Sequence, residues 1–93
     1  HDGFDGLIVG LPGAGWHLEL VVGYGAAVAT PSPEDLIVLY EPDAATYRER
    51  VSRLREAGHA EVASNNPYWD RCGTTFEGPD GYRTVLAHRA WSA

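Results

Sequence analysis

The sequence contains no methionine and no lysine, and its only cysteine is Cys72. A single thiol rules out an internal disulfide, which fits a reducing compartment such as the cytoplasm. Lys and Arg together number 7 against 13 Asp and Glu, and every one of the 7 is arginine, for a net charge of −6. Arg48, Arg50, Arg53 and Arg55 fall in one short stretch with Glu49 and Glu56, so no basic surface large enough to track a phosphate backbone stands out and nucleic acid is not an expected partner. Long apolar runs are also missing: none approaches the roughly 20 residues that cross a bilayer, and no signal-peptide pattern opens the chain. A soluble, cytoplasmic protein without a membrane partner is therefore expected. Because residue 1 is His, either the start was processed or the sequence is a fragment.

The 93 residues have room for one hydrophobic core and not for two. With 44% hydrophobic residues the composition is ordinary for a folded domain. Residues 7–9 form a short apolar run closed by Gly10, Pro12, Gly13 and Gly15, a strand followed by a tight turn. Residues 16–22 then alternate, with Trp16, Leu18, Leu20 and Val22 on one face and His17, Glu19 and Val21 on the other. The two segments read as a hairpin, and residues 23–33, rich in Gly, Ala, Pro and Ser, as a connection. Residues 36–40 are continuously apolar and partly β-branched, a buried strand.

Asp43 is placed to cap a helix in which Tyr47, Val51 and Leu54 recur on one face, with Gly58 as its stop. Glu49 and Arg53 stand four apart on the opposite, solvated face. Residues 60–63 read as a weak strand, Asn65-Asn66-Pro67 as a turn or loop, and residues 74–77 as a strand. Gly78-Pro79-Asp80-Gly81 is a strong turn signal. Residues 82–89 alternate again, Tyr82, Thr84, Leu86 and His88 against Arg83, Val85, Ala87 and Arg89. The second half is thus β-α-β-β-β, and the first only β-β.

Several phrases carry a family resemblance. Asn66-Pro67-Tyr68-Trp69-Asp70-Arg71, then Gly73-Thr74-Thr75-Phe76-Glu77, then Pro79-Asp80-Gly81-Tyr82-Arg83, resemble the closing segment of vicinal-oxygen-chelate domains, the superfamily of glyoxalase I, bleomycin-resistance proteins and extradiol dioxygenases. Phe76-Glu77-Gly78-Pro79-Asp80-Gly81 is similar to the recurrent F-x-D-P-D-G turn of that family. Phe4-Asp5-Gly6, Gly10-Leu11-Pro12-Gly13 and His17-Leu18-Glu19-Leu20 resemble the last strands of its first module. The resemblance implies an α+β fold of paired βαβββ modules around a cleft. In these terms residues 1–33 are the remainder of a first module and the connection, residues 34–93 a complete second module, and the first strand and helix of the first module are absent from this chain.

The resemblance also implies where a divalent metal would sit in the metalloenzymes, with one ligand from the first and last strand of each module. Glu19 occupies one such position. No His stands near Leu36, and Val85 stands where a Glu is expected. Catalytic metal sites usually take about three protein ligands, so no metal cofactor is expected, and Glu19 would be a ligand only if a metal were present. The expected function is a glyoxalase/bleomycin-resistance-like domain whose cleft binds a small organic molecule. The alternative is a metal-dependent lyase, isomerase or dioxygenase of the same superfamily.

The ligand-binding candidates are Glu19, His17, Tyr68, Trp69, Arg83 and Val85. Glu19 is either a cleft carboxylate, able to act as base or acceptor, or the ion-pair partner of an arginine such as Arg83. His17 shares its face. Tyr68 and Trp69 offer either a flat apolar wall at the cleft mouth or packing of their loop onto the body. Arg71 reads as a surface charge, Cys72 as a spectator thiol lacking an adjacent base, and His59 as a helix-end residue suited to the dipole. An apolar face at residues 16–22 with no helix of its own to cover it, beside an open sheet edge, implies a homodimer or a longer natural chain.

Overall fold

Asp43 starts the one long helix. Its carboxylate accepts the Thr46 backbone N–H and the Thr46 hydroxyl, each at 2.8 Å, satisfying one of the donors a helix leaves open at its first turn. These bonds, the backbone one foremost, hold the Asp43 carboxyl below the ordinary carboxylate range. In this computed structural model, which describes residues 4–23 and 30–91, the helix α1 runs over Ala44–Glu56. Val51 is buried, with Tyr47 and Leu54 packed beside it, as the helical spacing of these residues requires. Gly58, at φ +85°, ends the helix. The Gly58 N–H donates to the Arg55 carbonyl at 3.0 Å and the His59 N–H to the Leu54 carbonyl at 3.1 Å, the paired closure that needs a left-handed residue and so favours glycine. On the wet side, Arg53 and Glu49 meet at 2.7 Å, and the Arg55 fork holds Glu61 at 2.7 and 2.9 Å.

The sheet beneath α1 has four strands. They are β3 (Leu36–Tyr40), β4 (Ala60–Val62), β5 (Gly73–Glu77) and β6 (Arg83–Ala87), in the order β3-β6-β5-β4. The β3–β6 pair is parallel and the other two pairs are antiparallel. The β5–β6 hairpin closes through Gly78-Pro79-Asp80-Gly81, where the Gly81 N–H donates to the Gly78 carbonyl at 3.0 Å and the Gly78 N–H to the Tyr82 carbonyl at 2.8 Å. Alternation gives the face toward α1 to Leu39, Phe76 and Leu86, which with Val51 form the core. Val85, Thr75 and Ala87, on the opposite face, are also buried.

A second sheet holds β1 (Phe4–Val9) and β2 (Leu18–Gly23), paired antiparallel with Leu7 opposite Leu20 and Val9 opposite Leu18. The architecture is α+β, as expected: a β-α-β-β-β unit with an added short helix, preceded by a two-stranded hairpin. The expected connection over residues 23–33 lies mainly outside the described residues, as does His1. No helix among the described residues is long and apolar enough to cross a membrane.

One element differs in kind from the expectation. The segment expected as a loop contains a helix, α2, over Pro67–Cys72. The Asn66 side chain accepts the Tyr68 N–H at 3.0 Å, and Pro67 takes the first helical turn, where its missing N–H costs nothing. The Asn-Pro pair is therefore a helix start here rather than a turn. Asp70 on the same helix accepts the Ser64 N–H at 2.9 Å, and α2 packs against β5 and β6.

Candidate functional site

The strands β3 and β6 begin, and β5 ends, at one end of the sheet, and Leu54 near the end of α1 borders the same space. An open groove of about 1110 Å³ lies there. Its apolar walls include Leu36, Ile37, Phe76 and Leu86 from the sheet, Tyr82 from the β5–β6 connection, Leu54 from α1 and Leu20 from β2. Ile37, on the outer strand β3 beside the strand of the buried Leu86, is 43% exposed. A concave, mainly apolar surface with a few polar groups is the usual form of a small-molecule site.

Arg83 is the cation in that wall closest to the sheet. Its Nε donates to Glu77 Oε1 at 3.3 Å, and its Nη1 donates to the Ala63 carbonyl at 3.4 Å. The pair follows from the hairpin register, which sets Glu77 directly opposite Arg83 across the Gly78–Gly81 turn. Only 15% of the Arg83 side chain is exposed, so its charge is held in place by Glu77 and a backbone oxygen, not by the Glu19 partner considered from sequence. Glu34, Asp35 and Asp80 also border the groove. Each is locally engaged: Glu34 with the Asn65 amide at 2.7 Å, Asp35 with the Ser32 N–H at 2.8 Å, Asp80 with the Tyr82 N–H at 3.1 Å.

The six residues singled out from sequence are distributed over three places. Arg83 lines the groove. Val85, two residues along the same strand, has 0% exposure, so it offers a ligand no surface while its neighbours stand as they do. His17 and Glu19 are exposed on the hairpin, with Glu19 lying over Gly6: a Cβ at Gly6 would sit 3.2 Å from Glu19 Oε1. Tyr68 and Trp69 are half-buried in α2, edge to face with centroids 4.9 Å apart. The Tyr68 hydroxyl takes a hydrogen bond from Arg89, whose guanidinium lies 5.6 Å from the Tyr68 ring centroid. Sequence reading did not find Glu77, Ile37 or Leu20 as groove residues. The Glu77–Arg83 pairing was available from the turn position, since two residues equally spaced from a tight turn face each other; the groove itself is formed by residues from several elements and so depends on tertiary packing.

The donor set does not fit a family-type metal centre. The positions at Leu36 and Val85 carry hydrocarbon side chains, and among the described residues no three His, Cys, Asp or Glu side chains converge. Cys72 is half-buried and unpaired in any disulfide, and its carbonyl accepts the His88 N–H at 2.7 Å.

Comparison with known proteins supplies the family. Residues 34–88, which contain the four-stranded sheet and both described helices, match the model of the YycE-like C-terminal domain. The uncharacterized protein YycE of Bacillus subtilis (strain 168) is 44% identical over 87 residues, covering 92% of this chain and 63% of the relative. The chain thus spans under two thirds of that relative's length. A 2.0 Å crystal structure of a YycE protein of unknown function from Bacillus subtilis, described as a candidate glyoxalase/fosfomycin resistance protein, superposes with a TM-score of 0.85 at 40% identity, covering 100% of this chain and 69% of the other. Fold, family match and sequence identity agree, and the chain belongs to the YycE-like C-terminal domain family.

Proposed function

We propose that this chain is part of a vicinal-oxygen-chelate protein of the glyoxalase/bleomycin-resistance kind that binds a small organic molecule without using a metal. The observation that supports this reading is the groove of about 1110 Å³, with apolar walls and a single fixed cation–carboxylate pair, Arg83 and Glu77. Such a surface recognises a ligand by apolar area and orients it through few polar contacts. Arg83 is the anchoring donor and Ile37 and Tyr82 are the wall, while Glu19 and His17 on the hairpin and Tyr68 and Trp69 on α2 stand outside the groove lining. Val85 shapes the strand beneath. The protein works in the cytoplasm as a homodimer.

The test is titration of the protein with a panel of aromatic and alicyclic compounds, followed by amide NMR in metal-free buffer and again with added zinc, nickel or manganese. Binding that maps to Ile37, Tyr82 and Arg83, is unchanged by metal, and is lost in Ile37→Asp supports the reading. Binding that appears only with one equivalent of metal and disappears in Glu19→Ala replaces it with the alternative, a metal-dependent lyase, isomerase or dioxygenase. The hydrocarbon side chains at Leu36 and Val85 are what favour the first over the second.

A further inference from the structure

A second concavity, of about 480 Å³, lies where α2 meets the end of β6, and it shares no lining residue with the groove. Its walls carry Arg71, His88 and Arg89, with Asp70 as the one carboxylate. Three cationic or cation-capable groups in one small concavity stand out in a chain of net charge −6.

The neighbouring polar groups are already engaged. Tyr47 shares a hydrogen bond with Thr74 at 2.7 Å, and the Asp70 carboxylate accepts the Ser64 N–H at 2.9 Å. Asp43, whose charge reaches His88, is held by Thr46. The His88 ring is fixed by stacking on Tyr47, with centroids 4.9 Å apart and planes at 14°. The Arg89 guanidinium lies beside the Tyr68 hydroxyl and 5.6 Å from its ring centroid, which leaves most of its five N–H donors unspent. No ion pair among the described residues reaches Arg71. What remains open in the concavity is therefore hydrogen-bond donors and positive charge on three exposed side chains, with the His88 ring oriented by its stack on Tyr47. Guanidinium donors in such a setting match the oxygens of a phosphate or carboxylate.

We infer that the Arg71–His88–Arg89 concavity is a binding site for a small oxyanion, either a phosphate group or a carboxylate group of a metabolite. The site is independent of the proposed groove ligand, so either can fail without the other.

The experiment titrates the protein with inorganic phosphate and, separately, with acetate, each against chloride at matched ionic strength, and follows arginine Nε–Hε and histidine ring signals by NMR. The expected result is saturable shifts at Arg71, Arg89 and His88 with at least one of the two anions, and with no other arginine responding alike. Arg71→Ala should weaken that binding about tenfold, the usual worth of one charge-assisted contact, while leaving the unfolding midpoint unchanged. Arg71→Lys should recover part of the loss. Shifts no larger than those in chloride, shifts spread evenly over all the arginines, or an Arg71→Ala variant that binds both anions as before would each overturn the assignment.

Discussion

Leu86→Ala and Ile37→Ala delete the same number of carbon atoms from neighbouring strands of one sheet, yet they should differ about two- to threefold in cost. Leu86 is 5% exposed and packs against Val51 and Phe76. Removing three carbons there forfeits about 2.4 kcal/mol of transfer free energy at roughly 0.8 per carbon, and the cavity left under α1 raises the total to about 3–4 kcal/mol. Ile37 is 43% exposed, so its loss is scaled by burial to about 1.4 kcal/mol with no closed cavity to add. A domain of 93 residues has a total stability of roughly 5–14 kcal/mol. Leu86→Ala should therefore lower the melting temperature by more than about 12 °C, at about 4–8 °C per kcal/mol. Arg53→Ala, which breaks only the exposed pair with Glu49, is the control and should cost about 0.3–0.5 kcal/mol. Urea unfolding monitored by tryptophan fluorescence measures all three. Equal costs for Leu86→Ala and Ile37→Ala would mean that α1 does not cover Leu86 as described.

Three further outcomes are expected. Gly73→Ala should destabilise the β5–β6 hairpin strongly, because a Cβ there would sit 2.3 Å from the Leu86 carbonyl oxygen; an unfolding midpoint equal to that of the parent protein would refute the close approach. Asp43 and Glu61 have carboxyl groups held below their ordinary range by Thr46 and Arg55 respectively, so their stabilising contribution is complete above about pH 5 and is lost as the pH falls through the lowered values. Asp43→Asn with Glu61→Gln should flatten that acid limb, and an unaltered limb would count against both contacts. The hairpin sets Leu7, Val9, Leu18 and Leu20 on one exposed face, so sedimentation at rising concentration should show self-association, weakened by Leu18→Ser with Leu20→Ser; a monomer throughout would refute it.

How far the sequence could be read varies along the chain. The β3–α1 unit was legible nearly to the residue, because Asp43 and Gly58 are strong local signals and Tyr47, Val51 and Leu54 report one period over several turns. The β5–β6 hairpin was legible for the same reason: Gly78-Pro79-Asp80-Gly81 fixes the turn, and the turn fixes the register. The helix α2 escaped because its 6 residues are too few to show a period, leaving only Asn66-Pro67, a pair that opens turns and helices alike. For the site, alternation placed Arg83 and Val85 on one face of β6 correctly. It could not tell that Val85 is enclosed by tertiary packing while Arg83, at the strand's start, reaches the groove. Face is a local property of a strand; a groove walled by several elements depends on where each of them ends.

That dependence ties the groove to a single glycine. A helix of 13 residues is about 20 Å long, and its end is set by Gly58, whose positive φ allows the two closing hydrogen bonds to Arg55 and Leu54. One more turn of helix would run through the segment between Leu54 and His59, both of which border the groove, and would change the wall they form. The same stop frees the chain to return as β4, whose Glu61 meets the Arg55 fork and fixes the strand to the helix it has just left. Helix length, groove width and the outer edge of the sheet are therefore set together at residues 55–61. Substitutions there should alter groove shape and stability jointly, whereas substitutions at Arg71 or Arg89, at the other end of the sheet, should leave the groove untouched.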